Sequence, residues 1–492
     1  MGGAIRDECP SCKGNWRCET FQHPEPKGHL SGEDDRRRPS GAGGTGLDGD
    51  GGLVLIAELD RVLGIGDTID RAVGRIKKRR QGHGAGGVLL ALAESILAGG
   101  DFLCDVDVMR TDAAGARVRA VTKPPASTTI IGLTRRFTAD QIAGLETANA
   151  TLVRRAWTAL PAGRREALGR ARPTLDLDPT DVEVYGPKKR GFAYNYQGQR
   201  RGRPIPVTWA ETGWTLAADL VAGNIDPRPL AAGLIARAVA ALPAGLGRPR
   251  VRADAGLFDK SVAWAAVDHG CDFAIAAKRN TAVWRHIAAI DPDDWQPAIG
   301  MHADIAVCDY VPAGWPPGTR SLVRRVRVDS DQIRTDPRSR RRRTIPHAQL
   351  ALFDDGDLDH VYAYSLIVTN LTGDADLIEY WFRERAWIEE RIKDTKLGMA
   401  LRHLPSGHEA TNACWMWACL LALNLSAWTQ TLGQVDHDGF AHGKRLRRQL
   451  LRVPARIVHH ARRTVIRLTP HDHSGPLVTA WKNLAALPGL RC

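Results

Sequence analysis

Between residues 174 and 277, strand-like and helical stretches follow one another in an order that restricts the folds open to this chain. Thr174–Asp178 (TLDLD) alternates, which puts Leu175 and Leu177 on one face and Asp176 and Asp178 on the other. Gly191–Gln197 and Pro204–Thr212 read as two further strands. A helix is expected from about Pro227 (PRPLAAGLIARAVAAL), with Asp226 placed to cap it. A strand at Arg250–Asp254, a helix at Asp259–His269 and a strand at Phe273–Ala277 complete the series. Three strands, helix, strand, helix, strand is the order of an α/β sheet with an antiparallel edge.

That order is the one found in ribonuclease H-like folds, and the sequence around it suggests how such a core is extended. From about residue 280 to residue 359 the pattern changes to strand-like runs (Ala303–Val311, Ser321–Val328), many prolines and an arginine run, which read as a β-rich insertion with an exposed basic loop. A strand at Val361–Asn370 then leads into a long helical stretch. Upstream, Leu53–Val62, Gly87–Leu97 and Thr138–Trp157 are helical in pattern. Within them Ala57–Arg71 places a turn at Gly64–Gly66, compatible with a DNA-binding helix-turn-helix or with an ordinary helical hairpin. The expected organisation is a disordered tail and linker (1–50), a helical N-terminal DNA-binding domain (51–160), a first core part (170–280), the insertion (281–360), a second core part (361–430) and a basic helical C-terminal region (431–492).

The stretch Asp376–Gly398 (DADLIEYWFRERAWIEERIKDTKLG) reads as one helix. At about 100° per residue, Ile378, Trp381, Phe382, Ile388 and Ile392 form its apolar stripe. Arg385, Glu389 and Lys396 fall in the middle of that stripe, whereas Arg383, Glu390, Arg391 and Asp394 are expected in solvent. A carboxylate facing the core is costly unless a cation meets it. Glu389 is therefore either one half of an ion pair with Arg385 or a metal ligand.

With 492 residues and 43% hydrophobic content, the chain can bury a large core in two to four domains. Its formal charge of +13 is concentrated in Ile76–Arg80 (with Lys77 and Lys78), in Arg338–Arg343 (Arg338, Arg340, Arg341, Arg342 and Arg343) and in Lys444–Arg463. Three basic clusters in separate regions suggest an extended polyanion, nucleic acid before membrane, since no lipidation motif or amphipathic anchor is evident. Trp415–Leu425 (WMWACLLALNL) is too short to span a bilayer and fits a buried core helix. Met1–Asp50 is polar and Gly-rich, unlike a signal peptide. Nine cysteines without paired spacing point to a reducing cytoplasm. Cys9, Cys12, Cys18 and His23 number enough for a zinc site, but their spacing matches no common zinc module and a disordered tail is the competing reading.

Asp178 closes the first strand, Asp254 ends the fourth just before a helix, and Glu389 follows the insertion. Three carboxylates brought together repel, so they require divalent cations or protonation. Carboxylate oxygens with water and phosphate suit Mg²⁺ or Mn²⁺, and two such ions activate an attacking hydroxyl and stabilise the leaving oxygen of a displacement at phosphorus. Arg385 and Lys396 are placed to hold the phosphate.

These residues resemble a family. Leu175–Thr180 (LDLDPT), Arg252–Phe258 (RADAGLF), Phe273–Asn280 (FAIAAKRN), Ile388–Lys396 (IEERIKDTK) and Arg402–Ser406 (RHLPS) resemble, in order, DDE transposases of the insertion-sequence-1380 group. The resemblance runs from about Gly52 to the C-terminus. Arg385, Glu389 and Lys396 match the family's Tyr-Arg-Glu-Lys signature, with Phe382 at the tyrosine position and Tyr380 nearby. The family's pattern favours Asp178 over Asp176 as the first acid.

The resemblance implies a ribonuclease H-like core interrupted before the glutamate, and catalysis by Asp178, Asp254 and Glu389 with two Mg²⁺ or Mn²⁺ ions. It implies nicking of double-stranded DNA at inverted-repeat ends, joining of the freed 3′-hydroxyls to target DNA, and a dimer or larger assembly on DNA in the bacterial cytoplasm and nucleoid. Related enzymes flip a base onto a tryptophan, for which Trp284, Trp295 and Trp315 compete with simple core packing. A DNA-binding regulator derived from a transposase, or a nuclease that cleaves without joining, are the alternatives.

Overall fold

The structure, a computed structural model, describes residues 20–23, 46–77, 82–195, 197–278, 280–300, 302–329, 333, 345, 359–437, 440–460, 463–469 and 472–490. The chain divides into two compact units, one of residues 1–145, 398–400 and 417–492, the other of residues 146–397 and 401–416.

In the first unit, helices Val54–Leu63 and Ile65–Val73 meet at Gly64, whose φ of 63° and ψ of 48° end one helix and begin the next. A left-handed residue there is inexpensive only for glycine. This one-residue corner is shorter than the three- to four-residue turn of a DNA-binding helix-turn-helix. The second helix packs closely on helix Ala85–Ala98, because a Cβ at Gly86 would stand 2.1 Å from the Gly66 carbonyl oxygen. Leu55, Ile56, Leu59 and Leu63 are fully buried. A four-stranded antiparallel sheet completes the unit, formed by β1 (Thr20–His23), β2 (Gly46–Asp48), β14 (Ala455–His460) and β15 (Arg463–Leu468) in the order β1-β15-β14-β2.

Two expectations change here. Thr20–His23 and Gly46–Asp48 pair as strands where a disordered tail was expected, and a hairpin stands in the C-terminal region expected to be helical. The C-terminal runs Ala455–Ile457 and Val465–Leu468 alternate along their strands, with Ala455, Ile457, Ile466 and Leu468 buried, a period of two that the density of arginines obscures. Cys9, Cys12 and Cys18 of the candidate zinc site lie outside the described residues.

The second unit is built on one large mixed sheet with helices, so the chain is α/β in class. Its strands are β3 (Thr174–Leu177), β4 (Val182–Glu183), β5 (Ala193–Tyr194), β6 (Arg200–Trp209), β7 (Trp214–Ala222), β8 (Arg250–Ala253), β9 (Asp272–Ala276), β10 (Gln296–Pro297), β11 (Ala303–Cys308), β12 (Arg320–Asp329) and β13 (His360–Thr369). The path runs β10-β11-β12-β13-β9-β8-β3-β6-β4, and β5 and β7 also pair with β6. Among the described residues, β3 with β8 and β8 with β9 are the parallel pairings. Helices Arg228–Ala241 and Lys260–Asp268 precede β8 and β9, as parallel connections require.

Among the described residues, those expected to form an insertion extend the main sheet. β11 and β12 continue the same sheet, because β13 pairs antiparallel with β9 through Ile367–Ala276 and Thr369–Ala274 and carries β12 on its other side. Trp284, Trp295 and Trp315 are half-buried and pack against the apolar cluster of Val283, Ile287, Val323, Leu366 and Val368. β7 lay outside the strands expected from sequence, and the run at Gly191–Gln197 shrinks to two strand residues. Helix Glu409–Leu432 contains the buried run Trp415–Leu425, and no single described helix is long and apolar enough to cross a membrane.

Candidate metal centre

The parallel ladder brings two acids to the same edge. β3 and β8 pair in the register Thr174–Arg250, Leu175–Val251, Asp176–Arg252 and Leu177–Ala253. One step further stand Asp178 and Asp254, at the carboxyl ends of adjacent parallel strands about 4.8 Å apart. Asp254 is also tied down locally: its carboxylate accepts from the Gly256 backbone N–H at 3.0 Å and caps the short turn Ala255–Leu257.

Asp176 lies on the same face of β3, two residues inward, and has a different partner. Arg252 donates from Nε to Asp176 Oδ1 at 2.7 Å and from Nη2 to Oδ2 at 2.8 Å. Both side chains are almost fully buried, at 3% and 2% exposure. Burial pushes the Asp176 carboxyl up and the Arg252 fork pulls it back. With both oxygens engaged, Asp176 is a structural half of a bidentate pair, and Asp178 is the acid left facing the edge.

The third acid arrives on a helix that is not continuous. Ala375–Arg383 and Ala386–Leu397 are separate helices joined by Glu384 and Arg385. The first is seated on the sheet by Trp381, whose ring lies under the guanidinium groups of Arg250 (4.4 Å) and Arg252 (5.1 Å) and whose indole N–H donates to Thr174 Oγ1 at 3.1 Å. Ile378 is buried with Trp381 and Phe382 packed around it, as the apolar stripe predicted. Past the break the stripe holds only in part, with Ile388 still buried. Glu389 is exposed, whereas Arg391 and Asp394, expected in solvent, are buried, and Arg391 donates from Nη2 to the Gly213 carbonyl at 2.6 Å. The sequence reading carried one helical phase through two residues that are not helical.

Arg385 occupies this joint and reaches the first acid. Its Nη2 is 3.2 Å from Asp178 Oδ1. The contact is one of charge and not of direction: the buried Nε and Nη2 N–H groups have no hydrogen-bond acceptor among the described residues. Burial pushes the Asp178 carboxyl up to about 6, Arg385 opposes the rise, and the charges of Asp254, Glu389 and Asp176 add to it. Asp178 thus sits within electrostatic reach of both other candidate acids. Among the described residues, however, no three carboxylate, imidazole or thiol groups are gathered closely enough to hold a metal ion as they stand. The donor chemistry fits Mg²⁺ or Mn²⁺, since all three groups offer oxygen and two hang from neighbouring strand ends.

Lys396, two turns beyond Glu389, donates from Nζ to the Asp181 backbone carbonyl at 2.9 Å, and burial lowers its ammonium. Asp181 is the residue that sequence reasoning passed over. Its carboxylate accepts from Arg203 Nε at 2.7 Å and lies 3.3 Å from Arg201 Nη1. It thereby ties the loop after Asp178 to β6 and to the helix of Glu389. The signal was present as Arg201 and Arg203, two cations on one face of a strand. Of the other candidate phosphate ligands, Lys77 lies in the first unit and donates to the His83 carbonyl at 2.7 Å. Lys78, Arg338, Arg340, Arg341, Arg342 and Arg343 lie outside the described residues.

The sequence matches, over residues 39–488, the family model described as transposase DDE domain group 1. No curated protein matches it. Among solved structures, the chain is similar to a piggyBac transposase in a synaptic complex with hairpin DNA, at 8% identity and a TM-score of 0.41, over 82% of this chain and 81% of that one.

Proposed function

The chain belongs to the transposase DDE domain family, and from that premise we propose that it is a cut-and-paste DNA transposase of the insertion-sequence-1380 group with a ribonuclease H-like core, acting on bacterial cytoplasmic DNA as a dimer or larger assembly. The observation that carries the reading is the register of β3 and β8, which sets Asp178 and Asp254 side by side at the carboxyl ends of two central strands, with Asp178 in electrostatic reach of Glu389. Members of the family generally use divalent ions. Asp178 and Asp254 would hold them, with Glu389 completing the set on DNA binding.

When bound, such ions lower the pKa of an attacking hydroxyl and neutralise charge at the leaving oxygen. The protein's own residues do the rest. The strand ladder fixes two carboxylates, Arg385 carries unused N–H groups toward a phosphate, and Lys396 with Asp181 braces the loop that bears Asp178. The arginine run at Arg338–Arg343 and Lys77–Lys78 supply sequence-independent attraction to DNA in this reading.

Asp254→Asn should retain binding to DNA carrying the element's ends while nicking and joining fall by roughly 10³-fold, the scale of several kcal/mol of lost charge stabilisation. Strand transfer at the wild-type rate would refute the assignment. Cleavage without joining would favour a nuclease, and binding without either a regulator.

A further inference from the structure

Asp176 and Asp178 each face one arginine, but the two arginines are held very differently. Arg252 is locked on Asp176 by two aligned hydrogen bonds of 2.7 and 2.8 Å. Arg385 touches one oxygen of Asp178 at 3.2 Å, with no aligned hydrogen bond at Nε or Nη2. Its backbone belongs to neither helix, because it lies in the two-residue joint between Ala375–Arg383 and Ala386–Leu397. The joint is itself tied to both helices, the Arg385 N–H donating to the Phe382 carbonyl at 3.0 Å and its carbonyl accepting from the Ile388 N–H at 2.9 Å, so a change of direction is one of side-chain rotamer with the backbone in place. The oxygen it contacts belongs to a carboxylate at the strand edge beside Asp254.

We propose that Arg385 and a divalent cation compete for the same oxygen of Asp178, so that metal loading releases Arg385 to hold a DNA phosphate. The inference rests on the reading of Asp178 as a metal ligand and adds a coupling to it. A cation entering beside Asp178 meets the guanidinium charge at close range and must displace it. The displaced fork keeps two N–H groups with no protein acceptor, and phosphate oxygens match that fork in geometry and charge. Linkage then makes the effect reciprocal: a phosphate that draws Arg385 away from Asp178 raises the affinity for the ion by the same factor. Metal and DNA each favour the binding of the other, and in the resting site Arg385 offsets part of the charge of the acids.

Calorimetric titration of Mn²⁺ into the full-length protein at neutral pH, without DNA, tests this. Arg385→Gln should bind Mn²⁺ about tenfold more tightly than the wild type, within the usual range of such couplings. Arg385→Lys should fall between them, because it keeps the charge but loses the planar fork. Equal or weaker binding by Arg385→Gln overturns the competition. Should that variant fail to fold, Arg385→Lys decides alone, and an affinity no higher than the wild type's overturns it. Asp254→Asn separates this failure from that of the underlying reading. If the wild type binds Mn²⁺ no better than Asp254→Asn does, the ligand assignment itself is wrong. If Asp254→Asn loses binding while Arg385→Gln gains none, only the competition is wrong.

Discussion

The interior of the large sheet and its carboxyl-terminal edge hold the same chemistry for opposite ends. Two residues apart on one face of β3, Asp176 meets Arg252 in the interior and Asp178 meets Arg385 at the edge. The interior pair is buried, bidentate and complete. The edge pair is partly open, at 15% and 14% side-chain exposure, makes a single contact, and carries repulsion from three further acids. A pair built for stability satisfies its partners, while a pair built for binding leaves something unsatisfied for a ligand to complete.

The most forceful way to break this contrast is Arg252→Leu. It strands the buried Asp176 carboxylate and should cost about 3–5 kcal/mol in urea unfolding, the usual penalty for removing one partner of a buried pair. A loss below about 1 kcal/mol, the scale of exposed pairs, would erase the distinction. Asp178→Asn should move stability the other way. The folded-state value of about 6 lies above the ordinary 3.8, so protonation favours the fold. That contribution is fully present below about pH 4 and is lost as pH rises through about 6. Removing the charge should therefore raise the urea midpoint at neutral pH by the equivalent of roughly 1 kcal/mol, Arg385's lost partner included, and flatten the pH dependence between those limits. A destabilised variant with an unchanged pH profile would place Asp178 with the structural acids. The smallest effect is expected of Lys396→Met, which frees the Asp181 carbonyl and should cost about 1 kcal/mol. Thermal melts that show no shift would leave Lys396 free for phosphate alone.

Much of the centre was legible in the chain. The alternation of Thr174–Asp178 and the strand, helix, strand order after it located β3, β8 and β9, and both aspartates stand at the ends those patterns marked. Period-two and period-3.6 patterns persist where one face is buried and the element is unbroken. They failed where either condition lapsed. β7 (WTLAADLVA) begins with five buried residues in a row, so its two faces look alike in sequence. No glycine or proline marks the joint at Glu384–Arg385, and a helical wheel drawn through it misplaced Glu389, Arg391 and Asp394 together. Arg391 and Asp394 are three apart, opposite in charge and buried, a combination that periodicity assigns to solvent by default. The sheet's extension through β13 and β9 depends on a pairing between residues about ninety positions apart, which no local pattern encodes.

The register of β3 and β8 has a mechanical consequence. Because two of the acids are mounted on adjoining rungs, their separation is gauged by the backbone and is indifferent to loop length or sequence around them. The glutamate is mounted separately, on a short rod beyond a two-residue elbow. An event that draws the third carboxylate to the other two would act through that rod, and substitutions at the elbow would be felt as a change in timing more than in shape.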